Sequence, residues 1–215
     1  MKPPYWDAAA AALAKRDRVL AELIATYPGI HMTRRGDPFT TLARAITGQQ
    51  ISVKAAQAVW DRLCRAAAGV SAAAEPPRTL DPQRVARMRV TTTRRAGLSE
   101  RKAEYIRDLA RHFVSGKLDP QSFAALDDES LIAALVDVKG IGRWTAEMFL
   151  MFHELRADVL PVDDLGLQNA VALHYNGGER MPLQGIRDLG EQWRPYRSVA
   201  TWYLWRSLDP IPVEY

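Results

Sequence analysis

Cysteine is nearly missing from this chain of 215 residues: Cys64 is the only one. A single cysteine excludes an intramolecular disulfide, and it excludes a cysteine-ligated zinc or iron–sulfur site within one chain. Cys64 falls on an amphipathic stretch and reads as a buried thiol. No run approaches ~18 uninterrupted apolar residues, so no membrane-spanning helix is expected. The start, Met1-Lys2-Pro3-Pro4-Tyr5-Trp6, lacks a signal-peptide core and a cleavage pattern. The expected location is therefore the cytosol or nucleoid. His31, His112, His153 and His174 stand at no metal-ligand spacing, so side chains are expected to hold no metal. Alternating β-branched runs bounded by turns are also nearly absent. Val90 to Thr93 is the best strand candidate, and it is short and isolated.

What is present suits a globular helical protein. Hydrophobic residues make up 47% and charged residues 25%, which excludes wholesale disorder. The length fits one large domain or two small lobes. A net charge of +4 is compatible with nucleic acid without demanding it. Residues 6 to 26 are rich in Ala and Leu and read as helix. Asp37-Pro38 caps and opens a helix through Ile46, and Gly48 breaks it. Ser52 caps the next, with Val53, Ala56, Val59, Trp60 and Leu63 at helical spacing. Residues 67 to 79 read as a loop. Further helices start at Asp81-Pro82, after Ser99, at Asp127 or Asp128, from Arg143, from Asp164, from Pro182, and from Tyr196 to Ser207. The expected fold class is all-α.

The most informative segment runs from Leu135 to Ala146. An apolar helix ends, a Gly140-Ile141-Gly142 turn follows, and a second helix starts at once. The two glycines permit positive φ and close approach of another backbone. The second helix presents unpaired N–H groups and a positive dipole end to an anion. In outline this is a phosphate-binding hairpin; a plain turn between packed helices is the alternative.

Val138-Lys139-Gly140-Ile141-Gly142-Arg143-Trp144-Thr145-Ala146 resembles the hairpin of the helix-hairpin-helix DNA glycosylase superfamily, most closely the 3-methyladenine DNA glycosylase II branch. Three more segments agree, in the family's order. Asp37-Pro38-Phe39 through Gly48-Gln49-Gln50-Ile51-Ser52-Val53-Lys54-Ala55-Ala56 resembles its first cleft helix pair. Leu160-Pro161-Val162-Asp163-Asp164-Leu165-Gly166-Leu167 resembles its catalytic segment, and Trp193 to Trp205 resembles its C-terminal helix. The resemblance implies two interleaved helical lobes with a cleft between them. The central lobe would span roughly 37–160; the second would combine the N-terminal helix with roughly 161–215.

The resemblance also implies the chemistry. Breaking an N-glycosidic bond leaves positive charge on the sugar, which calls for a carboxylate and an attacking water. Asp163 and Asp164 both precede the apolar run Leu165, Leu167, Val171, so either could simply cap a helix. Counting from Pro161 points to Asp163; the helix register points to Asp164. Helix register sets side-chain direction, so Asp164 is the expected catalytic carboxylate and Asp163 the alternative. A helix N-terminus suits its negative charge. Relatives that also cleave the backbone carry a lysine where this chain has Trp144, so a monofunctional hydrolase without a Schiff base is implied. Trp144 and Trp205 match the branch's base-pocket tryptophans, and Met148 stands one turn after Trp144, where some relatives carry tyrosine. Trp60, Trp193 and Trp202 are assigned to the core. Gln50 matches the wedge that fills the hole left by a flipped base.

The expected partner is double-stranded DNA carrying damaged bases, gripped at its phosphates by Lys139, Gly140, Ile141, Gly142 and Arg143. No cofactor is expected beyond a monovalent cation that the hairpin carbonyls could hold, as in relatives. A monomer is expected, and no membrane partner. Two other readings stay open: a superfamily enzyme for another damaged or mismatched base, and a non-catalytic DNA-binding module.

Overall fold

The computed structural model describes residues 2–34 and 36–209. Twelve α-helices and one short 3-10 turn account for the regular structure, and no strand occurs among the described residues. The helices are α1 (Trp6–Arg16), α2 (Arg18–Thr26), α3 (Pro38–Gly48), α4 (Val53–Ala68), α5 (Pro82–Arg87), α6 (Val90–Arg95), α7 (Glu100–Val114), α8 (Asp128–Val136), α9 (Arg143–Phe152), α10 (Leu165–Tyr175), α11 (Leu183–Glu191) and α12 (Arg197–Leu208). The fold is all-α, as the missing alternation implied.

Caps explain where most helices begin. Asp37, Ser52, Asp81, Ser99, Asp127 and Asp164 each accept a backbone N–H from the first turn they precede. Each thereby satisfies one donor that no intrahelical carbonyl reaches. Two readings needed correction. The stretch 6 to 26 is two helices, not one. Asp17 separates them: its Oδ1 accepts from the Leu20 N–H, while Oδ2 accepts from Tyr175 Oη at 2.8 Å and Trp193 Nε1 at 2.9 Å. The buried carboxylate binds better as a cap with those donors than inside a continuous helix. Val90–Thr93 is helix, not strand. The buried Thr93 turns its hydroxyl back to the Val90 carbonyl at 2.8 Å. With no neighbouring strand to pair with, β-propensity has nothing to act through.

The described residues divide into two compact units: residues up to Arg34 together with those from Leu150, and the residues between, ending at Phe149. The division falls inside α9, ahead of the residue-160 boundary read from sequence. The reason is local: Phe152 packs on Trp202 and Trp205 of α12, and the His153 carbonyl accepts from Arg34 Nε.

In the unit that runs to Arg34 and resumes at Leu150, Trp6, Trp193, Trp202 and Tyr203 are buried. Trp6 meets Trp202 edge-on at 6.4 Å, a favoured aromatic geometry. In the other unit, α7 is the spine and packs on α3, α5 and α6. Phe39 of α3 meets Phe113 of α7 edge-on at 5.3 Å, over buried Leu42, Ile46, Ile106 and Leu109. Trp60 is buried here. All three tryptophans assigned to the core are in it. Cys64 is buried too, and burial pushes its thiol up to about 12, so it is an inert core residue.

Candidate active site

Asp164 caps α10. Its Oδ1 accepts the Leu167 N–H at 2.7 Å and the Trp205 indole N–H at 2.8 Å. The Trp205 ring is stacked on Phe152, with centroids 5.9 Å apart and planes within 18°. The carboxylate is therefore held from two sides: by the first turn of its own helix and by a tryptophan whose ring is itself fixed. Gly166 makes this possible. A Cβ there would lie 3.0 Å from Asp164 Oδ1 and 3.0 Å from the Trp205 indole, tighter than side chains normally approach. Asp163 is exposed and takes no part in this arrangement. The two aspartates thus differ in the structure: Asp164, which helix register favoured, is held from two sides, and Asp163 is not. Sequence reading had cast Trp205 as a pocket wall; holding the carboxylate is a second role. Gly166, in the first turn of a helix, was the signal that a large ring lies close.

The hairpin between α8 and α9 is built on buried Val138 and Ile141. Its two glycines are not equivalent. Gly140 has φ +83°, and a Cβ there would fall 2.1 Å from Tyr105 Cδ2. Gly142 is exposed, shows no positive φ, and a Cβ there would meet nothing within 4 Å. Only Gly140 is demanded by the fold, which corrects the expectation that both glycines serve positive φ. Gly142 leaves an open approach to the first turn of α9, whose N–H groups lack intrahelical partners.

The two cations beside the turn are already engaged. Lys139 Nζ lies 2.6 Å from Glu104 Oε1, and that contact raises its pKa. Arg143 forks onto Glu129 at 2.5 and 2.9 Å and reaches the buried Glu147 at 3.0 Å. Both cations are thus ion-paired within the protein, while their side chains stay about half exposed.

Gln50 sits at the tip of the α3–α4 turn, exposed, with φ +58°. A non-glycine residue there is strained, so the turn must be held by its surroundings. Gln49 Nε2 donates to the Gly140 carbonyl at 2.9 Å, tying this turn to the hairpin. Lys102 Nζ donates to the Thr47 and Gln49 carbonyls at 2.9 and 2.6 Å, and burial lowers its pKa. Sequence reading missed Gln49 and Lys102, because a lysine three residues into a helix normally looks solvated.

Trp144 and Met148 lie one turn apart on α9, in the unit ending at Phe149. Trp144 is 43% exposed and Met148 half-buried; an exposed tryptophan next to the hairpin is a poor core residue. Asp164, Gly166 and Trp205 belong to the other unit. Among the described residues no group of three or more His, Cys, Asp or Glu is arranged to hold a metal, and no helix is long and apolar enough to cross a membrane.

An all-α chain with a helix-hairpin-helix turn and a doubly held aspartate at a helix start has the outline of a nucleic-acid-processing enzyme. A family model described as HhH-GPD superfamily base excision DNA repair protein matches residues 43–195, and the chain belongs to that superfamily. Its sequence is 31% identical over 189 residues to DNA-3-methyladenine glycosylase 1 of Schizosaccharomyces pombe, covering 87% of this chain and 80% of that protein. Its fold matches the crystal structure of DNA-3-methyladenine glycosidase from Bacillus halodurans with a TM-score of 0.82 and 34% identity, over 92% and 87% of the two chains. It also matches a Schizosaccharomyces pombe 3-methyladenine DNA glycosylase in complex with abasic DNA, with a TM-score of 0.74 and 29% identity, over 95% and 99%.

Proposed function

We propose that this chain is a monofunctional DNA glycosylase for base excision repair, acting as a monomer where the cell keeps its DNA. It flips alkylated purines of the 3-methyladenine and 7-methylguanine type from the duplex and hydrolyses their bond to deoxyribose. The observation that carries the reading is Asp164, fixed at the start of α10 by the Leu167 N–H and the Trp205 indole. The relatives named above, each called a 3-methyladenine glycosylase or glycosidase, support the substrate class.

A purine alkylated at N3 or N7 carries a positive charge and leaves as a neutral base, taking the bonding electron pair with it. No acid is needed to protonate the leaving group, so one carboxylate suffices where most glycosidases use two. As the C1′–N bond breaks, positive charge develops on the sugar. A preorganised Asp164 stabilises it without reorganising. Water then adds to C1′ and passes its proton to bulk water.

Trp144 and Met148 on α9 are proposed to face a flipped base, and so, separately, is Trp205 on α12. An aromatic face attracts a cationic purine by roughly 0.5–2 kcal/mol. Gln50 is the wedge; its amide can hydrogen-bond the orphaned base. Gly140, Ile141 and Gly142 bring α9's N–H groups to a phosphate, with Lys139 and Arg143 beside them. The Val138 and Gly140 carbonyls already accept from the Ile141 N–H and Gln49 Nε2. Each carbonyl keeps a second lone pair, so the turn fits a monovalent cation that would offset phosphate charge.

The test is incubation with duplex DNA carrying alkylated, oxidised or mismatched bases, with released bases identified by mass spectrometry. Free methylated purine and an intact abasic strand are expected. Release only of oxidised or mismatched bases would move the substrate class. Tight duplex binding with no base released would overturn the enzyme reading.

A further inference from the structure

The hairpin's own cations are neutralised, so the chain's unspent positive charge lies elsewhere. Between Arg84 and Lys102 the sequence carries seven basic residues and one carboxylate, Glu100. That excess is larger than the +4 of the whole chain, so the rest of the molecule is net acidic. Two of the seven are committed: Arg84 to Asp81 and the Ala68 carbonyl, Lys102 to the Thr47 and Gln49 carbonyls. The other five, Arg87, Arg89, Arg94, Arg95 and Arg101, are exposed, and none has a side-chain hydrogen bond or ion-pair partner among the described residues. Arg87 ends α5, Arg89 precedes α6, Arg94 and Arg95 end it, and Arg101 opens α7.

Five unpaired arginines on one short segment are costly in self-repulsion unless a polyanion meets them. The segment is physically continuous with the wedge turn. Lys102, the residue after Arg101, is hydrogen-bonded to that turn at 2.6 Å. α6 and α7 also pack on each other. Exposed guanidiniums on a segment tied to the wedge turn suit phosphates of a duplex flanking the flipped nucleotide, because the guanidinium fork pairs with phosphate oxygens.

We propose that the α5–α7 segment, centred on Arg94, Arg95 and Arg101, is a second DNA-binding surface that holds the phosphate backbone beside the lesion. It rests on the glycosylase reading above, and it assigns the salt-sensitive part of DNA affinity to this segment rather than to the hairpin. Contacts of this kind position the protein without reading sequence. Each neutralised phosphate contributes about 0.9 to the slope of log affinity against log salt.

The experiment compares the wild type with two charge-matched triple variants on an undamaged duplex across a salt series. One is Arg94→Gln/Arg95→Gln/Arg101→Gln. The other removes three exposed cations of the other unit, Lys15→Gln/Arg18→Gln/Arg187→Gln. Thermal melting of all three proteins establishes that they are folded. The α6–α7 variant should lose about 2–3 from the salt slope and bind on the order of tenfold or more weaker at low salt; the control should lose less than one. Equal losses in both variants, or none in the first, would overturn the proposal. Base release by the wild type separates the two levels: release with an unmoved slope sinks only this surface, whereas no release sinks the glycosylase reading itself.

Discussion

At the scale of single residues, Asp163 and Asp164 differ by which one the fold holds. Asp164→Asn keeps the cap but removes the charge facing the sugar, so the rate of base release should fall on the order of 10²–10³-fold. Binding of undamaged duplex should be unchanged, since the phosphate contacts are elsewhere. Asp163→Asn should behave as wild type; the reverse pattern would transfer the catalytic role to Asp163. The hairpin glycines allow a second comparison. Gly140→Ala forces a Cβ into the Tyr105 ring at φ +83°, which should cost about 2 kcal/mol or more. For a protein of this size that is a melting temperature lower by roughly 5 °C or more. Gly142→Val meets no protein atom and should cost less than about 1 kcal/mol, mostly from a poorer N-cap. It should nonetheless weaken duplex binding, because the added side chain covers the first turn of α9. If folded Gly142→Val binds duplex as the wild type does, the hairpin is only a turn.

Among the elements, α7 does more than its amphipathic pattern suggests. Along it, Lys102 reaches the wedge turn, Tyr105 lies under Gly140, and Asp108 accepts the Lys139 N–H at 2.9 Å. One rigid helix therefore sets where both the wedge turn and the hairpin stand. Lys102→Met leaves two carbonyls without their charged donor. Hydrogen bonds to charged groups are worth about 1.5–3 kcal/mol, so if the wedge turn loosens by that much, base flipping should slow roughly ten- to a hundredfold. Stopped-flow fluorescence of a 2-aminopurine beside the lesion reads this directly. The salt slope of duplex binding should stay put, because Lys102 is spent inside the protein. A moved slope with an unchanged flipping rate would mean that Lys102 binds phosphate instead.

For the whole molecule, the decisive feature is the tryptophan at position 144, where backbone-cleaving relatives carry lysine. Borohydride trapping on damaged duplex should give no covalent adduct, and the product strand should stay intact until alkali is added; a robust adduct would place a Schiff-base amine elsewhere. The helical class, most helix starts and the hairpin were legible in the sequence because each depends on neighbours a few residues apart: a cap and its first turn, glycines bracketing a turn, apolar residues at helical spacing. The break at Asp17 and the helical state of Val90–Thr93 were not, since both are decided by partners far along the chain or by the absence of a strand to pair with. The same division runs through the site. Sequence alone placed an aspartate pair, a hairpin and a set of tryptophans in the order of a known superfamily. Helix register already favoured Asp164; the tertiary structure added its hold by Trp205, forty-one residues away, paired Lys139 and Arg143 with Glu104 and Glu129, and left five arginines between α5 and α7 without a side-chain partner among the described residues. Local order is written in short-range spacing, whereas which charges remain available depends on the side chains that folding brings beside them.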